Sequence, residues 1–195
     1  MQSGNTFRMR LDGSHIEHFT YGQVNPFGMA MNELGDLFTA DCHTKPITLL
    51  LEGGYYESFG KPHDGLGFVP SVMQHLHGST AIGGIALYSA ADFPATLRGN
   101  TFSGNVMTSR INRNSLHYDG SSVRATREAD FLVSRDPWFR PVDLQLGPDV
   151  SPRFARGPPQ GGPNRRRRFV SHSATSPDHD QRGLTPLIGP IDRDN

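Results

Sequence analysis

Between Phe7 and Leu11 apolar and basic residues alternate, with Phe7, Met9 and Leu11 set against Arg8 and Arg10, and Asp12-Gly13 follows at once. In an extended chain successive side chains point to opposite faces, and Asp-Gly suits a tight hairpin, so the segment predicts a strand running into a turn. The same order recurs from Met29 and Met31 through Asn32-Glu33-Leu34-Gly35-Asp36 to Leu37–Ala40, which predicts a second strand, turn and strand. Further strands are predicted at 84–89, 105–111, 114–118 (ending on Asp119-Gly120) and 141–146. No window sustains a 3.6-residue period over three turns, so the body of the chain reads as all-β.

The strands also repeat. Strand then Asp-Gly occurs at 7–13 and again at 114–120, while Pro26 heads NPFGMAMNELG and Pro141 heads PVDLQLGPDV. Aligning the two prolines sets Met29 on Leu144 and Met31 on Leu146. Repeated short antiparallel units mark radial or solenoid β architecture, and propeller blades take about 40–50 residues each, so this spacing corresponds to two or three blades. The expectation is a partial β-propeller over residues 1–149, with about three to four blades. Chance similarity between two glycine-bounded hairpins is the competing explanation.

Two segments break the rhythm. Residues 53–83 are rich in glycine and histidine and hold no clean period, and loops longer than about 12–15 residues are usually functional or disordered. Tyr55, Tyr56, Phe59 and Phe68 give this loop something to bury, which argues against disorder. The tail, 150–195, is different material. From Ser151 onward it holds 7 of the 15 prolines and the run Arg165 to Arg168, with only 7 Leu, Ile, Val or Phe residues. So few apolar groups do not offset the ordering entropy of a packed element, so the tail is expected to be disordered.

Charge separates the same two regions. The formal net charge is zero, yet residues 1–150 carry 11 Lys or Arg against 15 Asp or Glu, while 151–195 carry 8 Arg against 4 Asp. The single cysteine, Cys42, excludes an internal disulfide framework and a two-cysteine haem attachment motif. No basic-then-apolar leader is visible at the N-terminus, and the apolar run Ile47–Leu51 is too short to span a bilayer. The compartment stays open. The arginine run could grip nucleic acid or an anionic surface, but in a proline-rich tail it reads as solvated, and no nucleic-acid partner is expected.

The strings FRMRLDGSHIEHFTYGQVNPFGMAMNELGDLFTADCH, HGSTAIGGIALYSAADFP and DPWFRPVDLQLGPD resemble the glucose/sorbosone dehydrogenase-like quinoprotein propellers. Within that group they are most similar to the propeller of large membrane-bound dehydrogenases of planctomycete-type bacteria, which carry a C-terminal haem-binding domain. The resemblance covers about residues 5–149. It implies a six-bladed ring, pyrroloquinoline quinone and calcium at one face, and a sugar or polyol substrate. It further implies a fused haem-binding electron acceptor and export to the periplasm or cell envelope.

The sequence departs from the family in three places. Asp41-Cys42-His43-Thr44-Lys45-Pro46 stands where characterised members carry histidine-glycine-proline and glycine-glycine-aspartate-glutamate, so their calcium ligation does not transfer. The family's catalytic histidine is expected on a blade preceding this segment. After the LGPD turn the family continues into a strand opening on glycine, whereas this chain reads Val150-Ser151-Pro152-Arg153, as a change of reading frame would produce.

Candidate site residues follow from position. Asp41 and His43 come directly after a predicted strand, where propellers bind ligands, and His43 could accept a proton from a sugar hydroxyl. The alternative makes Asp41 a turn cap and His43 a surface residue. His75 and His77 are two apart and would share a side of an extended chain. With His63, Asp64 and Cys42 they offer donors to a redox cofactor or a transition metal, although no recognised metal spacing is present. The glycines of GSTAIGG lack the lysine and helix of a phosphate loop. Three functions stay open: part of a quinone-dependent sugar or alcohol dehydrogenase, inactive alone; a non-catalytic propeller that binds carbohydrate or protein; and a lactonase-type propeller hydrolase.

Overall fold

A computed structural model describes residues 4–43, 45–58, 67–90 and 94–147, together with the backbone of 152–156, 168–171 and 184–186. A short hairpin opens the chain, β1 (Thr6–Arg8) against β2 (Glu17–Thr20). The first large sheet follows, β3 (Pro26–Met31), β4 (Leu37–Asp41) and β5 (Ile47–Leu50), in the order β3-β4-β5. The second holds β6 (Ile82–Tyr88), β7 (Asn100–Asn105), β8 (Arg110–Asp119), β9 (Ser122–Arg127) and β10 (Leu132–Ser134). The ten-residue β8 serves two neighbours on one edge, β10 at its start and β9 along its second half. The third sheet begins with β11 (Pro141–Leu146) and continues through β12 (Pro152–Arg156) and β13 (Arg168–Ser171). β14 (Leu184–Pro186) pairs with β10 at the edge of the second sheet.

The three sheets stand side by side, and period-2 alternation in β6 explains how. Ile85 and Leu87 point into one core with Phe38, Ala40, Ile47, Leu49, Val72 and Met73. Ala86 and Tyr88, the residues between and after them, point into a second core with Phe102, Ile111, Leu132, Phe139 and Leu144. The middle sheet is therefore packed on both faces, and every residue of β6 is buried. A chain of sheets stacked through their first strands is a partial β-propeller.

The stacking is closest at one point on each first strand. β3, β6 and β11 each carry a register irregularity near the start, at Gly28, Gly84 and Val142. A bulge bends its strand and presents bare backbone to the neighbouring sheet. A Cβ on Gly28 would lie 3.0 Å from the Gly84 Cα, and one on Gly84 would lie 2.9 Å from the Asp143 Cα. Gly84 also holds φ +62°, a conformation that suits glycine. Because these contacts join start to start, the three first strands run in the same sense and share one rim.

Several expectations change in detail. Residues 105–111 are not one strand: Val106–Ser109 form the β7–β8 turn, with Ser109 at φ +54° and the Asn105 carbonyl oxygen Oδ1 accepting from the Thr108 N–H. The alternation of Phe7, Met9 and Leu11 does produce a hairpin, but all three residues are exposed. The Pro26 and Pro141 modules are both sheet-opening strands, two sheets apart. Of the segment 150–195, expected to be disordered, the described residues are the backbone of β12, β13 and β14, and the rest lies outside those described. The three short strands lie against sheet edges. The open edges of β11 and β10 present unpaired N–H and C=O groups, which an extended segment can satisfy whatever its side chains.

The stacking contact sets a prediction. Gly84→Ala adds a Cβ against backbone at positive φ and should cost about 3 kcal/mol in urea unfolding. Gly13→Ala has φ +80° but open space around it, and should cost only about 1 kcal/mol. Equal losses would show that the backbone approach is not what joins the sheets.

Candidate functional site

The shared rim gathers the segments that enter β3 and β6 and the turns that leave β4 and β7. Asp41 ends β4 there and is almost fully buried. Its Oδ2 accepts the Val24 N–H at 3.1 Å and its Oδ1 accepts the His43 N–H at 3.0 Å. The backbone around it is paired as well: Asp41 N–H donates to the Pro46 carbonyl and Cys42 N–H to the Asn25 carbonyl. Asp41 thus fastens the β4–β5 turn and the entry to β3 with one carboxylate, and His43 is placed by its backbone in that turn.

Beside this carboxylate lies a cleft of about 160 Å³, walled by Ile47, Leu49, Tyr56, Val69 and Val72 and rimmed by Gln23, Asp41, Lys45 and Glu57. Tyr56 closes it: its hydroxyl donates to the Leu49 carbonyl at 2.6 Å and accepts from the Leu51 N–H at 2.8 Å. Burial pushes the Tyr56 phenol up to about 12, so it stays protonated. Gln23 is 1 % exposed at φ +104°, a conformation few non-glycine residues adopt. Its Nε2 donates to the Thr39 hydroxyl at 2.8 Å, while its Oε1 has no hydrogen-bond partner among the described residues.

His75 and His77 do come together, in the segment before β6 and against β8 of the second sheet. Both Nε2 atoms lie on Asn114 Oδ1, at 3.0 and 2.9 Å, with the two rings edge to face. Asn114 shares a strand face with Asn112, which bonds Asn105 and the buried Asp130. Asp130 in turn pairs with Arg110 at 2.7 Å. His77 is 2 % exposed, and burial holds its imidazole down at about 4. With Nε2 donating to Asn114, neutral His77 keeps Nδ1 as a buried acceptor with no partner among the described residues. Of the other candidates, His63 and Asp64 lie outside the described residues.

Calcium takes six to eight oxygen ligands. Among the described residues no three His, Cys, Asp or Glu side chains stand together as a metal-holding group, and both oxygens of Asp41 already accept N–H bonds. This donor set does not fit a calcium ion. A quinone carrying several carboxylates also fits poorly in the cleft, where Lys45 is the one cation among the described residues and Glu57 and Asp41 are anionic.

Sequence reading singled out Asp41 and the histidine pair but missed Gln23, Tyr56 and Asn114. Asn112-Arg113-Asn114 on a strand whose face continues into Leu116 was a usable signal, because two amides on a buried face demand partners. Nothing in the residues around Gln23 announces its backbone conformation.

Two outcomes follow. His77 is neutral in the fold and gains a proton on unfolding, so its contribution is full above pH 6.5 and lost as pH falls to about 4. His77→Gln should remove on the order of 2 kcal/mol of that acid sensitivity in unfolding measured across this range. Asp41→Ala strands two backbone donors and should cost about 3 kcal/mol in urea unfolding, with a change under about 0.5 kcal/mol counting against the clasp.

Solved structures share this architecture. An oxidoreductase of the glucose dehydrogenase type from Thermus thermophilus superposes with a TM-score of 0.62 at 19% identity, over 84% of this chain and 48% of its own. The soluble aldose sugar dehydrogenase of Escherichia coli, in its apo form, gives 0.54 at 22% identity over 76% of this chain and 46% of its own. The PQQ-bound aldose sugar dehydrogenase of Streptomyces coelicolor gives 0.58 at 19% identity, over 86% and 51%. The chain therefore spans about half the length of these structures, and the likeness establishes a dehydrogenase-like propeller fold. No curated protein matches the sequence. A family model matches residues 1–151, most of the chain, and the protein accordingly belongs to the family described as a domain of unknown function, DUF7133.

Proposed function

We propose that this chain is part of a quinone-dependent sugar- or alcohol-oxidising propeller and is inactive by itself. The observation that carries this reading is the match of three stacked sheets to about half of several sugar dehydrogenases, one of them PQQ-bound. In such an enzyme the quinone supplies the redox chemistry, and the protein supplies binding, orientation and electrostatics. The contribution of this chain is a rim fastened by Asp41 and a cleft beside it. Cofactor and metal ligands would come from outside the described residues, since these offer no calcium donor set. The substrate would be a small sugar or polyol, and the electron acceptor a haem-binding domain, as the sequence resemblance implies.

A second reading is a propeller that binds its ligand without transforming it. The engagement of both Asp41 oxygens by backbone favours it, because that carboxylate serves the fold.

A dye-reduction assay tests the first reading. The purified 195-residue chain with PQQ, calcium and an aldose panel should give no turnover above buffer, whereas robust turnover would refute the inactivity. Addition of a protein supplying the remaining sheets should restore dye reduction, and failure to restore it would favour the binding reading.

A further inference from the structure

We propose that the segment joining β5 to β6 is an edge guard: Tyr56, Val72 and Met73 occupy the outer edges of β5 and β9 and keep a second copy of this chain from pairing there. The inference concerns association between chains, so it goes beyond the dehydrogenase reading and does not rest on it.

Strand β5 is where the chain most needs such a guard. Ile47-Thr48-Leu49-Leu50-Leu51 is an uncharged, mostly apolar run without proline. Runs of this kind on an open sheet edge pair with other chains. The Asp41 N–H donates to the Pro46 carbonyl, and antiparallel bonding alternates from there. The main-chain groups of Thr48 and Leu50 therefore turn toward β4, while those of Ile47 and Leu49 turn outward. Propeller blades typically have four strands, whereas the first sheet has three among the described residues, so no strand meets that outward row.

Side chains meet it instead. The Tyr56 hydroxyl donates to the Leu49 carbonyl at 2.6 Å and accepts from the Leu51 N–H at 2.8 Å. One oxygen thus does what a residue of an added strand would do. The Ile47 N–H donates to Met73 Sδ at 3.1 Å, and a thioether ends the ladder because it carries no donor of its own. Next to it, the Val72 carbonyl accepts the Ala125 N–H of β9 at 2.7 Å, on the outer edge of the second sheet. Val72 and Met73 are buried in the same core as Ile47, Leu49, Val123 and Ala125, so the guard is fixed by the packing that joins the two sheets.

The partner excluded is a second copy, because it carries the identical run. β5 against β5, antiparallel about a twofold axis, would satisfy both edges at once.

Amide exchange of the full chain from about 10 μM to about 1 mM, with sedimentation alongside, provides the test. In the unaltered chain the Ile47 and Leu51 amides should exchange slowly and at a rate independent of concentration. Tyr56→Phe removes the hydroxyl, and Leu51 should then exchange about fivefold faster or more at the lowest concentration. As concentration rises Leu51 should become protected again while a dimer sediments. Adding Thr48→Lys puts a charge on the edge and should abolish both the renewed protection and the dimer. Concentration-dependent exchange in the unaltered chain, unchanged Leu51 exchange in Tyr56→Phe, exchange that stays fast at every concentration, or a dimer that survives Thr48→Lys would each overturn the proposal. If Tyr56→Phe fails to fold, Met73→Leu, of similar volume, frees the Ile47 N–H alone and must show the same loss and return of protection at Ile47. Its absence would overturn the proposal as well.

Discussion

Three strands can approach one another backbone to backbone only if nothing projects between them, and the sheet stacking depends on that condition. Gly28 meets Gly84, and Gly84 meets Asp143, each at the bulge that opens a first strand. Once those points touch, alternation in β6 divides its side chains between two cores, and both neighbouring sheets are set in place. The rim follows from the same contact. Because the strands start together, the Asp41 turn and the entries to β3 and β6 share one end of the molecule.

Much of this arrangement was legible in the residues. Alternation located β3, β4, β8 and β11, and the strand module matched at Pro26 and Pro141 falls in both places on the strand that opens a sheet. β7 was hidden, because Asn100-Thr101-Phe102-Ser103-Gly104-Asn105 carries one large apolar residue and reads as a loop. It is a strand because β6 and β8 pair it on both edges, and its hydroxyl and amide side chains are buried. Tertiary pairing overrode local propensity there.

The candidate site was less legible, for a related reason. Asp41, His75 and His77 are conspicuous by type, but their roles depend on partners remote in sequence: Val24 for Asp41 and Asn114 for the histidines. Gln23 has no sequence signature because its distinguishing property is a backbone angle imposed by Asn5, Gly4 and Asp41. Side-chain chemistry can be read along a chain, whereas a conformation enforced by distant contacts cannot.

The bulges also bear on how such a chain can change over generations. A residue gained or lost within β3, β6 or β11 would turn its following side chains to the wrong face and misplace the bare backbone. The same event in a connecting loop would leave both undisturbed. Length variation among descendants should therefore collect between sheets, and lineages should gain or lose this architecture in whole sheets, each beginning with its own bulged strand.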